Sequence, residues 1–175
     1  MSIRGAILGL LAEAPMTGYE IAKRFEHALS RIWPAKPNQI YTELNRMADD
    51  GLAEVVEIGA RNAKRFAITE TGKVALTDWL CDRSPVDQQL RFDGLLKANF
   101  LFALPPEELR SFLSDEAAFW ADQTDWIESQ MVHLPQDTAE ATRARRLAAE
   151  AGRDLYRLMH TWSKRYLDEL DRSEK

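Results

Sequence analysis

Three observations predict a mainly α-helical chain with a small two-stranded β element. Apolar residues recur at helical spacing through the first fifty positions. The spacing switches to strand-like alternation once, between residues 52 and 68. From residue 91 onward the pattern is helical throughout. At 175 residues, 45% hydrophobic and 29% charged, the chain is long enough to bury a core without staples. One cysteine, Cys81, excludes an intramolecular disulfide framework, and with three histidines it offers no zinc ligand set.

The first helix must be told from a signal peptide. Arg4, the apolar stretch Gly5 to Ala12 and the small residues of Ala12-Glu13-Ala14 imitate one. The stretch is short, however, and Pro15 stands where cleavage would fall. Ile3, Ala6, Ile7, Leu10, Leu11 and Ala14 instead share one helical face, as a core helix requires. No segment approaches the ~18 apolar residues that span a bilayer. A soluble, cytoplasmic protein with no membrane partner is expected.

Pro15-Met16-Thr17-Gly18 reads as a turn, with Thr17 capping a second helix and Glu20 completing a capping box. Ile21, Ala22, Phe25, Leu29 and Ile32 form that helix's buried face, which stops before Trp33-Pro34. Pro37 opens a third helix and Gly51 ends it. Its apolar stripe is Ile40, Tyr41, Leu44, Met47 and Ala48. Leu52 to Ile58 and Arg65 to Ile68 are strands flanking a basic hairpin turn, Gly59 to Lys64. Thr69-Glu70-Thr71-Gly72 then starts a fourth helix through Val74, Leu76, Trp79 and Leu80. Arg91 to Leu104 reads as one apolar helix. A second begins at Pro105-Pro106-Glu107-Glu108 and carries Leu109, Phe112, Leu113, Trp120, Ile127 and Met131. A break at Leu134 to Thr138 precedes the last long helix.

Catalytic signatures are missing: there is no G-x-S-x-G, no H-E-x-x-H, no phosphate-cradling glycine loop and no Cys–His ligand spacing. Neither an enzyme nor a cofactor is expected. The informative combination is the third helix with the basic hairpin. Behind the apolar stripe lies a polar face, Asn38, Gln39, Thr42, Asn45 and Arg46, able to read base edges: Asn or Gln with adenine, Arg with guanine, Thr with the thymine methyl. Arg61, Lys64 and Arg65 on the hairpin suit phosphates or the minor groove. A polar face alone would be ordinary solvated surface. The element order, three helices then a basic hairpin then a helix, is that of an N-terminal winged helix-turn-helix.

The runs Ile7-Leu8-Gly9-Leu10-Leu11, Met16-Thr17-Gly18-Tyr19-Glu20-Ile21, Gln39-Ile40-Tyr41-Thr42-Glu43-Leu44, Asp50-Gly51-Leu52 and Ile68-Thr69-Glu70-Thr71-Gly72 resemble the PadR family of bacterial transcriptional regulators. The likeness covers the first ~80 residues closely, and the helical remainder resembles the family's C-terminal dimerisation region. It implies a ligand-responsive repressor that binds a palindromic operator in double-stranded DNA as a homodimer. It also implies a DNA contact for Tyr41, and places Tyr19 and Thr17 in the helix that crosses the phosphates. Where many members open the third helix with Gly-Thr or Gly-Ser, this chain has Lys36-Pro37-Asn38-Gln39, a departure that bears on base preference.

The chain therefore divides into a DNA-binding domain, residues 1–82, and an α-helical dimerisation and effector region, residues 83–175. On the last helix Leu147, Ala151, Leu155, Leu158, Trp162, Tyr166 and Leu170 form a stripe longer than a small domain needs, which fits dimerisation together with packing inside the chain. A two-fold dimer would set two recognition helices roughly 34 Å apart. Some relatives bind phenolic or drug-like aromatics, and Trp79, Phe100, Trp120 and Trp162 are candidates to line an effector pocket, although each taken singly is better explained as packing. Two alternatives remain: a winged-helix protein-interaction module without DNA binding, and a ligand sensor without transcriptional output.

The net charge of −5 argues against nucleic-acid binding only until it is divided. Residues 1–80 carry 10 basic and 10 acidic side chains, and the remainder 13 and 18. The acidity lies in the helical region.

Overall fold

Ile7, Leu8 and Leu11, spaced for one helical face, are all buried along α1 (Ser2–Glu13). This is the first element of a computed structural model that describes residues 2–60, 63–82, 93–135 and 139–173. Six further elements complete the first of two compact units, Met1–Gln89. They are β1 (Met16–Thr17), α2 (Gly18–Arg24), α3 (Pro37–Asp49), β2 (Ala53–Ile58), β3 (Lys64–Ile68) and α4 (Glu70–Cys81). Ile21, Phe25, Ile40, Leu44, Met47 and Phe66 join the α1 residues in one core. The second unit, Leu90–Lys175, holds α5 (Asp93–Ala98), a 3-10 turn at Leu101–Ala103, α6 (Pro106–Val132) and α7 (Glu140–Ser173). The expected domain boundary at 82/83, the start of a helix at Arg91 and part of the break before residue 139 lie outside the described residues.

The mainly α fold with a winged helix-turn-helix is as expected, with a third strand added. The sheet has three antiparallel strands in the order β1-β3-β2, not two. Met16 pairs with Phe66 and Thr17 with Arg65. Thr17 is expected as a cap in a turn and, from the resemblance, in the helix that crosses the phosphates, but not in a strand. An N-cap residue takes extended backbone, here φ −79° and ψ 158°, so the same residue caps α2 and lies in a strand.

Three other expectations are corrected. The α-helical part of the second helix ends at Arg24, and Phe25–Leu29 is a π turn. Its wider turn rotates the residues after it by about 100° relative to an α-helix. Ile32 therefore leaves the buried face and is 58% exposed. The segment 91–104 is not one helix. Asn99 and Phe100 close with short bonds to the carbonyls of Leu96 and Lys97, and the Asn99 amide donates to the Leu95 carbonyl. Asn is a weak helix former that competes for such carbonyls. Leu101 becomes buried, while Leu95, Leu96 and Phe100 are exposed.

The third correction concerns α7. It packs against α6 in opposite chain direction, with Arg110 paired to Asp171, His160 Nδ1 2.9 Å from the Ala117 carbonyl oxygen, and Arg157 paired to Glu128. Thr142, Tyr156, Met159 and Ser163 form the buried face. Leu147, Ala151, Leu155 and Leu158 lie about 100° further round and are exposed, while Trp162, Tyr166 and Leu170 are half-buried at the seam. The expected single stripe is two faces, one used within the chain.

Candidate nucleic-acid interface

Pro37 opens α3 with its fixed φ, and Gly51 leaves it at φ +72°, where L side chains are strained. Between them Ile40, Leu44 and Met47 face the core. Asn38, Gln39, Thr42, Asn45 and Arg46 are exposed on the opposite side, as their spacing predicts. Gln39 is partly committed, since its side-chain oxygen accepts the Lys36 N–H at 2.9 Å, and the Lys36 side chain is exposed beside it. Arg46 is open to solvent, with Glu43 no nearer than 4.0 Å. Glu43 is engaged elsewhere: Arg4 of α1 binds it, and also Asp50 at 2.9 Å, which ties α1 to the middle and the C-terminal end of α3. The Glu43 hydrogen bond is the main reason the Arg4 guanidinium holds its proton even more firmly than usual.

Tyr41 does not sit in the core with the stripe it was placed on. It is 45% exposed, and its ring lies over Gly18, where an added Cβ would come within 2.4 Å of Cε1. Sequence reading missed this contact, although a glycine opening the helix that α3 crosses was a signal for it. Tyr19 is also exposed, with the Lys23 ammonium 5.3 Å from its ring centroid. Tyr19, Lys23, Phe25, Pro34, Pro37 and Tyr41 border an open concavity of about 390 Å³.

Thr17 is bound within the capping box. Its hydroxyl accepts the Glu20 N–H at 3.2 Å and donates to Glu20 Oε2 at 2.9 Å, and its own N–H donates to the same oxygen at 2.6 Å. These bonds, backbone first, hold the Glu20 carboxyl below the usual carboxylate range, and Arg65 adds to the effect. A depressed pKa stabilises the fold above the unfolded-state value and loses that contribution as pH falls through the folded-state value. Glu20→Gln is therefore expected to cost about 1 kcal/mol at neutral pH, the worth of a cap. The difference from the unaltered protein should close in acid, below the ordinary carboxylate range. Urea unfolding at both pH values measures it, and a gap that persists in acid would refute the assignment.

The wing departs most from expectation. Lys64 is exposed, Arg61 lies outside the described residues, and Arg65 points inward. Its guanidinium donates to the Pro15 carbonyl at 2.8 Å and to Glu20 Oε1 at 3.2 Å, with Glu57 at 3.4 Å.

In the second unit Trp120 meets Tyr156 at 5.7 Å and Phe119 at 4.9 Å between ring centroids, and Trp162 meets Tyr166 at 6.3 Å. Trp120 and Trp162 thus share one cluster with Ile127 and Met159. Phe100 is exposed, and Trp79 belongs to the first unit, packed across Gly5 of α1. Among the described residues no three His, Cys, Asp or Glu gather to hold a metal, and no helix is long and apolar enough to cross a membrane.

Residues 7–78 match the sequence model of the transcriptional regulator PadR-like family. The negative transcriptional regulator PadR of Bacillus subtilis (strain 168) is 32% identical over 117 residues, 65% of this chain and 64% of that protein. The chain thus matches just under two thirds of that relative's length. Two crystal structures of Bacillus subtilis PadR share the fold. The complex with operator DNA has a TM-score of 0.83 at 24% identity, covering 97% of this chain and 99% of that one. The complex with p-coumaric acid has a TM-score of 0.82 at 25% identity, covering 98% and 99%. The element order, the capped α2 and the bounded α3 agree with the motifs, and through residues 7–78 the chain is similar to the PadR-like family of transcriptional regulators.

Proposed function

We propose that the chain is a transcriptional repressor that occupies a palindromic operator as a homodimer and is released by a small aromatic effector. It works in the cytoplasm and catalyses no reaction, in keeping with a family of regulators. The division of α3 carries this reading: an apolar side is buried, while Asn38, Thr42, Asn45 and Arg46 are exposed in a row that suits a major groove. Tyr19, Tyr41, Lys36 and Lys64 are exposed in the same unit and suit phosphate and sugar contacts. Residues 1–82 then form the DNA-binding domain and residues 83–175 the dimerisation and effector region.

The exposed Leu147, Ala151, Leu155 and Leu158 on the 34-residue α7 support the dimer, with Trp162 and Tyr166 at its margin. Support for an aromatic effector comes from the p-coumaric acid complex of the Bacillus subtilis relative and from the Trp120 and Trp162 cluster here. Bound effector would release DNA by changing the spacing of two recognition helices.

Arg46→Ala is expected to weaken binding to the operator roughly tenfold or more, the worth of one bidentate base contact, and to relax preference at one base pair. Gel shifts against the chain's own upstream DNA at two salt concentrations measure it. If the unaltered protein shows no sequence-preferring, salt-sensitive binding, the repressor reading falls and the protein-interaction module takes its place.

A further inference from the structure

Arg65 stands on the wing, where a basic residue would ordinarily be assigned to DNA. Its surroundings point the other way. The guanidinium reaches three acceptors on three different segments: the Pro15 carbonyl ahead of β1, Glu20 in the first turn of α2, and Glu57 on β2. Two carboxylates around one guanidinium leave the cluster with one net negative charge, which offers a phosphate no attraction. Glu20 is itself fixed, because its other oxygen receives the Thr17 N–H and hydroxyl. Thr17 also pairs with Arg65 across the sheet, so the capping box, the Arg65 clamp and the β1–β3 ladder close one ring of bonds. That ring joins the wing to α2, and α2 carries Gly18, on which Tyr41 of α3 rests.

Resting on the DNA-binding reading above, we propose that Arg65 is a positioning residue: it touches no nucleic acid and sets the angle between the wing and the α2–α3 pair. Arginine suits this work because its planar fork serves several fixed acceptors at once. Lysine, a compact point charge on a flexible stem, serves a phosphate but has no rigid fork to hold acceptors on three segments in fixed relation. Lys64, exposed next to it, is among the described residues a wing cation placed to meet the DNA backbone.

The test measures operator affinity over a range of salt for the unaltered full-length protein, Arg65→Gln, Arg65→Lys, Glu20→Gln and the Arg65→Gln/Glu20→Gln double variant. Thermal unfolding of each fixes the folded fraction. The positioning role predicts roughly tenfold weaker binding for Arg65→Gln and for Arg65→Lys alike, as one misaligned base-reading pair would give, with the salt slope unchanged. It predicts a comparable loss for Glu20→Gln, although that variant removes a negative charge. The double variant should lose no more than either single one, since the two residues act as a unit.

A slope reduced by ~0.9 in Arg65→Gln but retained in Arg65→Lys would make Arg65 a phosphate contact and overturn the proposal. Binding that is unchanged once corrected for the folded fraction would make its role purely structural and overturn it equally. Failure of the unaltered protein to bind DNA is a separate result, and it overturns the repressor reading together with this one.

Discussion

Leu158→Glu is expected to convert the proposed homodimer to monomer at micromolar concentration while leaving its helical content intact. Leu158 is 63% exposed, and Leu155 one turn before it and Leu147 further along the helix are exposed as well, so the substitution disturbs little packing within the chain. In a two-fold interface each change occurs twice. Losing burial of one leucine per subunit costs about 3–6 kcal/mol in all, and a pair of desolvated carboxylates adds to that. The dissociation constant should therefore rise by at least about 10²-fold. Sedimentation reads the mass and circular dichroism the fold. Operator affinity should fall in parallel, because two half-sites are no longer engaged by linked modules. A variant that remains dimeric would move the interface elsewhere, and an unaltered protein that is monomeric at every concentration would overturn the dimer.

Gly72→Ala is expected to be the most damaging of the conservative substitutions, although it adds one methyl group to a helix. A Cβ at this position would lie 2.1 Å from the Leu52 carbonyl oxygen and 2.8 Å from Ile68 Cγ1. The Leu52 carbonyl cannot yield freely, since it accepts the Thr69 N–H at 3.1 Å and stands where the turn after α3 meets the cap of α4. Overpacking together with a lost hydrogen bond amounts to about 3 kcal/mol. For a chain of this size that lowers Tm by about 6–12 °C. Gly9→Ala is the internal contrast. Nothing lies within 4 Å of its added Cβ in α1, so the same exchange should stabilise by about 0.5–1 kcal/mol. Calorimetry of the two variants should give shifts of opposite sign, and equal signs would refute the steric account.

The N-terminal elements were legible because their start and stop signals are local. Thr17 with Glu20, Pro37 and Gly51 each act on backbone within three or four residues, and each marks a boundary where expected. The exposed face of α3 is set by period alone. The features that stayed hidden depend on distant partners. The two-residue β1 exists only because β3, nearly fifty residues later, supplies its hydrogen bonds. Arg65 looks like any wing cation until the fold brings Glu20 and the Pro15 carbonyl to it. On α7 the period identifies apolar residues but not which of two neighbouring faces an intrachain helix takes. Gly152, whose added Cβ would meet Ile127 of α6 at 2.8 Å, marks the inward face. A glycine within a long helical pattern was the available sign of close helix approach.

The stack of Tyr41 on Gly18 has a thermodynamic consequence. An exposed tyrosine free to sample its rotamers surrenders that freedom when it docks, at a cost of about 0.5–1.5 kcal/mol. Here the missing Cβ forms a shelf that holds the ring before any nucleic acid arrives, so most of that entropy is already lost when the chain folds. On the DNA-binding reading proposed above, Gly18 would thus contribute to affinity by leaving Tyr41 little disorder to give up.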